Sequence, residues 1–217
     1  MSKQVAIILS GCGVFDGAEI HESVLTMLAL EENNAEYQCF APDIPQHHVI
    51  NHLSGEPMNE QRNVLVESAR IARGKVKPVA QLSADQFDAL IFPGGFGAAK
   101  NLSDFALKGA NCQVEPSVLA AAQRFVAAKK PLGFICISPA MIPLIYGQKA
   151  KFTIGNDADT AAAIETMGGQ HVCCPVDEFV VDRDYKIVST PAYMLANNLS
   201  EAAAGIRKLV AEVLAMA

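Results

Sequence analysis

Three groups of residues in this chain have the types and spacing for covalent chemistry. Cys136 ends the apolar run Leu132-Gly-Phe-Ile135 and precedes Ser138-Pro139, which read as the N-cap and first turn of a helix. That pattern predicts a strand–turn–helix elbow, in which a tight turn lifts the side chain out of the sheet. The helix N-terminus adds unpaired N–H groups and a partial positive charge that favour a thiolate. The competing reading is an inert buried thiol, since free cysteine is among the most buried residue types. Pro93-Gly94-Gly95 leaves a second apolar run, 87–92. Consecutive glycines let the backbone approach a ligand and aim N–H groups at an oxyanion, or they simply turn the chain. Glu22 lies in the first turns of a helical stretch, with Glu19 and His21 beside it. A carboxylate near a buried thiol can move its proton, with burial tuning the carboxyl toward neutrality. Acidic residues also favour helix N-termini on electrostatic grounds, which suits Glu19 better than Glu22.

The elements that must position these residues follow from hydrophobic periodicity. Residues 5–9 form a continuous apolar run, as in strands buried on both faces of a parallel sheet. The turn-rich loop 10–17 follows, then a helix over 18–32 with Ile20, Val24, Leu25 and Leu28 on one face. Further strands are expected at 37–41, 87–92, 132–135 and 151–154, and a hairpin at 179–189. Helices are expected at 63–73, 115–129, 159–167 and 199–216. Residues 42–60 are rich in Pro, His and Asn without periodicity, and read as a lid or an excursion near the site. Strands alternating with helices give an α/β fold with a mostly parallel sheet. Ligands of such sheets bind beyond the carboxyl ends of the strands, where loops 10–17 and 93–97 and Cys136 fall.

Bulk properties narrow the classes. A chain of 217 residues with no repeat or linker reads as one domain, 1–217. The formal net charge of −6 and scattered Lys and Arg argue against nucleic acid or an anionic membrane surface as partner. The uncharged stretch 131–148 is broken by Pro139, Pro143 and Gly133, so it reads as strand and turn rather than a membrane span. Six dispersed cysteines and no cleavage-site pattern lead to the expectation of a reduced, cytoplasmic protein. No metal is expected, because Cys12, His21, Glu22 and Cys136 lack ligand-pair spacing. Gly11-Cys-Gly13-Val-Phe-Asp-Gly17 misses the dinucleotide fingerprint by one residue, which leaves nucleotide binding as a weak rival.

Four stretches resemble the PfpI-type branch of the class I glutamine-amidotransferase-like superfamily: 5–9, 17–24, 90–103 and 133–139. Within it, 10–22 and Thr190-Pro-Ala-Tyr-Met-Leu-Ala196 are most similar to the ElbB-type glyoxalases, which are associated with isoprenoid biosynthesis. The resemblance implies a flavodoxin-like sandwich, with helices on both faces of a mostly parallel central sheet and a nucleophile elbow. It implies Cys136 as nucleophile, Glu22 as proton carrier, and backbone N–H groups of Gly94 or Gly95 and of Ile137 as the oxyanion hole. The implied activity is that of a lyase needing no cofactor, which converts a small aldehyde substrate (glyoxal or a related 2-oxoaldehyde) to the 2-hydroxy acid. A homodimer is also implied. Relatives with a triad carry His directly after the Cys or in a later loop, whereas Ile137 follows Cys136 and 152–157 hold no His. A glutaminase mechanism is therefore not expected, and an accessory His would be His21, His47 or His48. Cys12 is an accessory candidate for resolving an oxidised Cys136. The rival from another class is a non-catalytic amidotransferase-like module that regulates or binds a metabolite.

Overall fold

A computed structural model of the chain describes residues 2–147 and 149–217. The chain runs β1 (Gln4–Ile8), α1 (Ile20–Glu32), β2 (Glu36–Ala41), α2 (Val64–Ile71), β3 (Val76–Pro78) and β4 (Ala89–Phe92). There follow α3 (Phe96–Lys100), α4 (Phe105–Lys108), α5 (Pro116–Ala127), β5 (Leu132–Ile135) and α6 (Ile142–Tyr146). The last third holds β6 (Lys151–Phe152), α7 (Ala158–Thr166), β7 (Gln170–His171), β8 (Val180–Asp182), β9 (Ile187–Thr190) and α8 (Leu199–Met216).

Seven strands form one sheet in the order β3-β2-β1-β4-β5-β9-β8, parallel except for β8 against β9. Alternation along the strands feeds two cores. Val5, Ile7, Ala89 and Ile91 face α1 and α8, and Ala6, Ile8, Leu90, Phe92 and Phe134 face α5 and α6. Helices cover both faces, so the fold is the expected flavodoxin-like α/β sandwich. β6 and β7 form a separate two-stranded parallel sheet. Among the described residues, no helix is long and apolar enough to cross a membrane.

Three local expectations are corrected. The apolar positions of α1 do not all face the core: Ile20, Val24 and Leu28 are exposed, and Glu22, Ser23, Thr26, Met27, Ala29 and Leu30 are buried. The hydroxyls can go inside because Ser23 Oγ donates to Glu19 O (2.7 Å) and Thr26 Oγ1 donates to Glu22 O (2.7 Å). Ser138 is not an N-cap. Its Oγ accepts from Ile135 N–H (2.9 Å) and donates to Phe92 O (2.9 Å), clipping the ends of β4 and β5 together, and a 3-10 turn over Ser138–Met141 precedes α6. Residues 151–154 pair only over Lys151–Phe152. The 42–60 stretch is an excursion laid over the loop after β1. Ile50 N–H donates to Asp16 Oδ2 (2.7 Å), Phe15 N–H to His52 Nε2 (3.2 Å) and His47 N–H to Asn101 Oδ1 (2.9 Å).

Candidate active site

The central strands β1, β4 and β5 end side by side, which brings the loop after each to one edge. Cys136 follows β5 directly and takes φ +63°, a left-handed conformation that costs a residue with a Cβ roughly 1–3 kcal/mol. The neighbouring structure over-determines it: Cys136 N–H donates to Thr190 O (3.0 Å), and Ser138 fastens the turn from the other side. Cys136 as a whole is 7% exposed.

Glu22 reaches the same point from α1. Glu19 caps that helix, its Oε2 accepting from Glu22 N–H at 2.7 Å, and this fixes the first turn. The Glu22 carboxyl is fully buried, with Gly94 N–H donating to Oε2 (2.9 Å) and Tyr193 N–H to Oε1 (3.2 Å). It also shares a hydrogen bond with the Cys136 thiol. Burial, and then the Glu19 carboxylate, push Glu22 up to about 8, against the pull of the two backbone donors and the thiol. Burial, and then Glu22, push the Cys136 thiol up as well. Backbone N–H groups of Gly95 and Ile137 hydrogen-bond the sulfur and favour its anion. Both acids are therefore held toward their protonated forms, and the carboxyl is the first of the two to release its proton.

Glycine is required at both positions of the Pro93 turn. A Cβ on Gly94 would stand 2.4 Å from Cys136 Cβ and 2.8 Å from Glu22 Oε2. Gly95 takes φ +90°, and its Cβ would meet Glu19 N at 2.4 Å. The Gly94 N–H, one of the two expected at an oxyanion, is instead committed to Glu22, which leaves Gly95 and Ile137 as the donors at sulfur.

The accessory candidates separate. His21 is exposed beside Glu22, and its Nδ1 lies 2.8 Å from Tyr193 Oη. His47 and His48 pack edge to face in the 42–60 excursion, where their contacts are with that loop and Asn101. Cys12 lies among Glu67, Arg70, Asp16 and Arg62. Burial, and then the Glu67 and Asp16 carboxylates, raise its thiol. All six cysteines are free. Sequence reading gave no role to Tyr193. Its signal is the Pro191-Ala-Tyr193 turn, which leaves β9 next to the elbow strand. Among the described residues, no group of three or more His, Cys, Asp or Glu is placed to hold a metal ion.

No protein-family model matches the chain. It is 47% identical over 221 residues to the ES1 protein homolog, mitochondrial, of Rattus norvegicus, covering 97% of this chain and 83% of that protein. It is 46% identical over 223 residues to the human glutamine amidotransferase-like class 1 domain-containing protein 3, mitochondrial, covering 98% and 83%. A crystal structure of an isoprenoid biosynthesis protein with amidotransferase-like domain from Ehrlichia chaffeensis superposes with a TM-score of 0.92 at 40% identity, over 99% of each chain. Glyoxalase III from Candida albicans shares the fold at 14% identity, with a TM-score of 0.62 over 99% of this chain and 97% of that one. The rat, human and zebrafish relatives are named mitochondrial, which overturns the expectation of a cytoplasmic protein. Dispersed free thiols bound the redox state of a compartment and do not say which reducing compartment it is. With these identities over most of each relative's length, the chain belongs to the ES1 and glutamine amidotransferase-like class 1 family.

Proposed function

We propose that this protein is a glyoxalase-type enzyme that converts glyoxal or a related 2-oxoaldehyde to the 2-hydroxy acid without a cofactor. The observation that carries this reading is the strained Cys136, hydrogen-bonded to the fully buried Glu22 carboxyl with Gly95 and Ile137 N–H groups at its sulfur. In the proposed sequence the Cys136 thiolate adds to the aldehyde carbon, and the new alkoxide, met by the Gly95 and Ile137 donors, takes a proton to give a hemithioacetal. Glu22 moves a proton from the first carbon to the second through an enediol, and water splits the resulting thioester. Steady-state turnover of glyoxal and methylglyoxal by wild type and Cys136→Ala tests this. Activity is expected in the wild type and lost in the variant, and full turnover by Cys136→Ala would sink the reading. One observation favours a non-catalytic, metabolite-binding module instead: burial holds the Cys136 thiol in its neutral form. That alternative predicts a Cys136 inert to iodoacetamide at every accessible pH.

A further inference from the structure

The loop leaving β9 touches both members of the Cys136–Glu22 pair and carries a side chain the proposed reaction has not yet used. Thr190 O accepts the Cys136 N–H (3.0 Å), and Tyr193 N–H donates to Glu22 Oε1 (3.2 Å). Between them Ala192 takes φ +42°, a conformation disfavoured for a residue with a Cβ, so the turn is held in place from both sides. The Tyr193 phenol lies 2.8 Å from His21 Nδ1, and His21 directly precedes Glu22 on α1. Glu22 is fully buried, Tyr193 partly buried and His21 exposed, so the three lead from the carboxyl outward to solvent. Burial, then Glu19 and Glu22, raise the Tyr193 phenol, which therefore keeps its proton at neutral pH.

We propose that Tyr193 and His21 form a second oxygen subsite, in which the phenol donates a hydrogen bond to the C2 oxygen of a 2-oxoaldehyde held on Cys136. His21 donates from Nδ1 to the phenol oxygen, which leaves the phenol hydrogen for the substrate. The substrate class rests on the glyoxalase-type reading. The subsite itself needs only that a dicarbonyl binds.

The subsite completes the proton balance of the isomerisation. After thiolate addition, C1 carries sulfur, a hydroxyl and a hydrogen. Glu22 takes that hydrogen as a proton, its electron pair forms the C1–C2 double bond, and the C2 carbonyl pair moves to oxygen, which takes the Tyr193 proton. Tyr193 regains a proton through His21 from water. Glu22 then protonates C2, the C1 hydroxyl loses its proton to water, and C1 becomes a thioester. C1 is oxidised and C2 reduced by the same electron pair, so no external redox partner enters.

The test is protection of Cys136 from iodoacetamide, read by mass spectrometry, with methylglyoxal or acetaldehyde as the protecting aldehyde. Acetaldehyde forms a hemithioacetal and lacks the C2 oxygen. Tyr193→Phe should require about tenfold more methylglyoxal for half-protection with acetaldehyde unchanged, and His21→Gln should shift methylglyoxal in the same direction by a smaller factor. A methylglyoxal shift under about twofold in Tyr193→Phe, an equal shift for both aldehydes, or no protection of the wild type would each overturn the subsite. Wild-type protection without turnover would leave the subsite standing and remove the glyoxalase reading. Turnover and protection both unaffected by Tyr193→Phe would do the reverse.

Discussion

Glu22 and Cys136 are both acids withdrawn from water, and each makes the other's anion more costly. Replacing Glu22 by Gln removes the charge that burdens the thiolate and also the group that carries the proton. Alkylation of Cys136 in Glu22→Gln should therefore rise at lower pH than in wild type, while dicarbonyl turnover falls by about 100-fold or more. A variant that shifted neither would mean that the two groups act independently. Gly94→Ala tests the same contact sterically. The added Cβ meets Cys136 Cβ, Glu22 Oε2 and Ile135 O, and two of those three cannot move without the elbow. Overpacking of this kind costs about 1–3 kcal/mol, so calorimetry should show a lower Tm together with loss of turnover. Cys136, Glu22 and the Gly-Gly turn were legible in the sequence because each is a residue type with one strong local reason to be where it is. Tyr193 was not, because its link to Glu22 runs through a backbone N–H some 170 residues away along the chain, which no spacing encodes.

At the scale of elements, buried polar side chains fasten loops and strand ends to one another. Ser138 was expected to start a helix and instead ties Phe92 O to Ile135 N–H, with its side chain buried at the strand ends. Ser138→Ala leaves both backbone groups without that partner in a buried place, and should cost about 2 kcal/mol in urea unfolding. A loss below about 0.5 kcal/mol would show that the turn holds by itself. Asp16 plays the corresponding part for the 42–60 excursion through Ile50 N–H. Asp16→Ala should speed proteolytic cleavage near the fully exposed Leu53 without changing the sheet. The face of α1 was misread for a related reason. Periodicity weighs Val24 and Leu28 as core residues, while burial of Ser23 and Thr26 depends on carbonyls four residues back, visible only once the helix exists.

For the whole molecule, the order β3-β2-β1-β4-β5 places the reversal of strand order between β1 and β4, the crevice where parallel sheets bind ligands. The alternation of long apolar strands with helices made that sheet legible. The short β3 and β7 escaped because three and two residues carry no period. Burying a carboxyl at the crevice links the stability of the entire fold to pH. Glu22 moves from an ordinary 4.5 up to about 8 on folding, so between those values the folded chain holds a proton that the unfolded chain has released. Its contribution is complete below the unfolded value and is lost as pH rises through the folded one. The buried thiols Cys136 and Cys39, also raised, act in the same direction at higher pH. The urea midpoint of the wild type should therefore fall between about pH 5 and about pH 9, and Glu22→Gln should flatten the lower part of that decline. If the two proteins declined in parallel, the proton would reside elsewhere, and the thiol–carboxyl pair would lose the property that lets it serve as both acid and base.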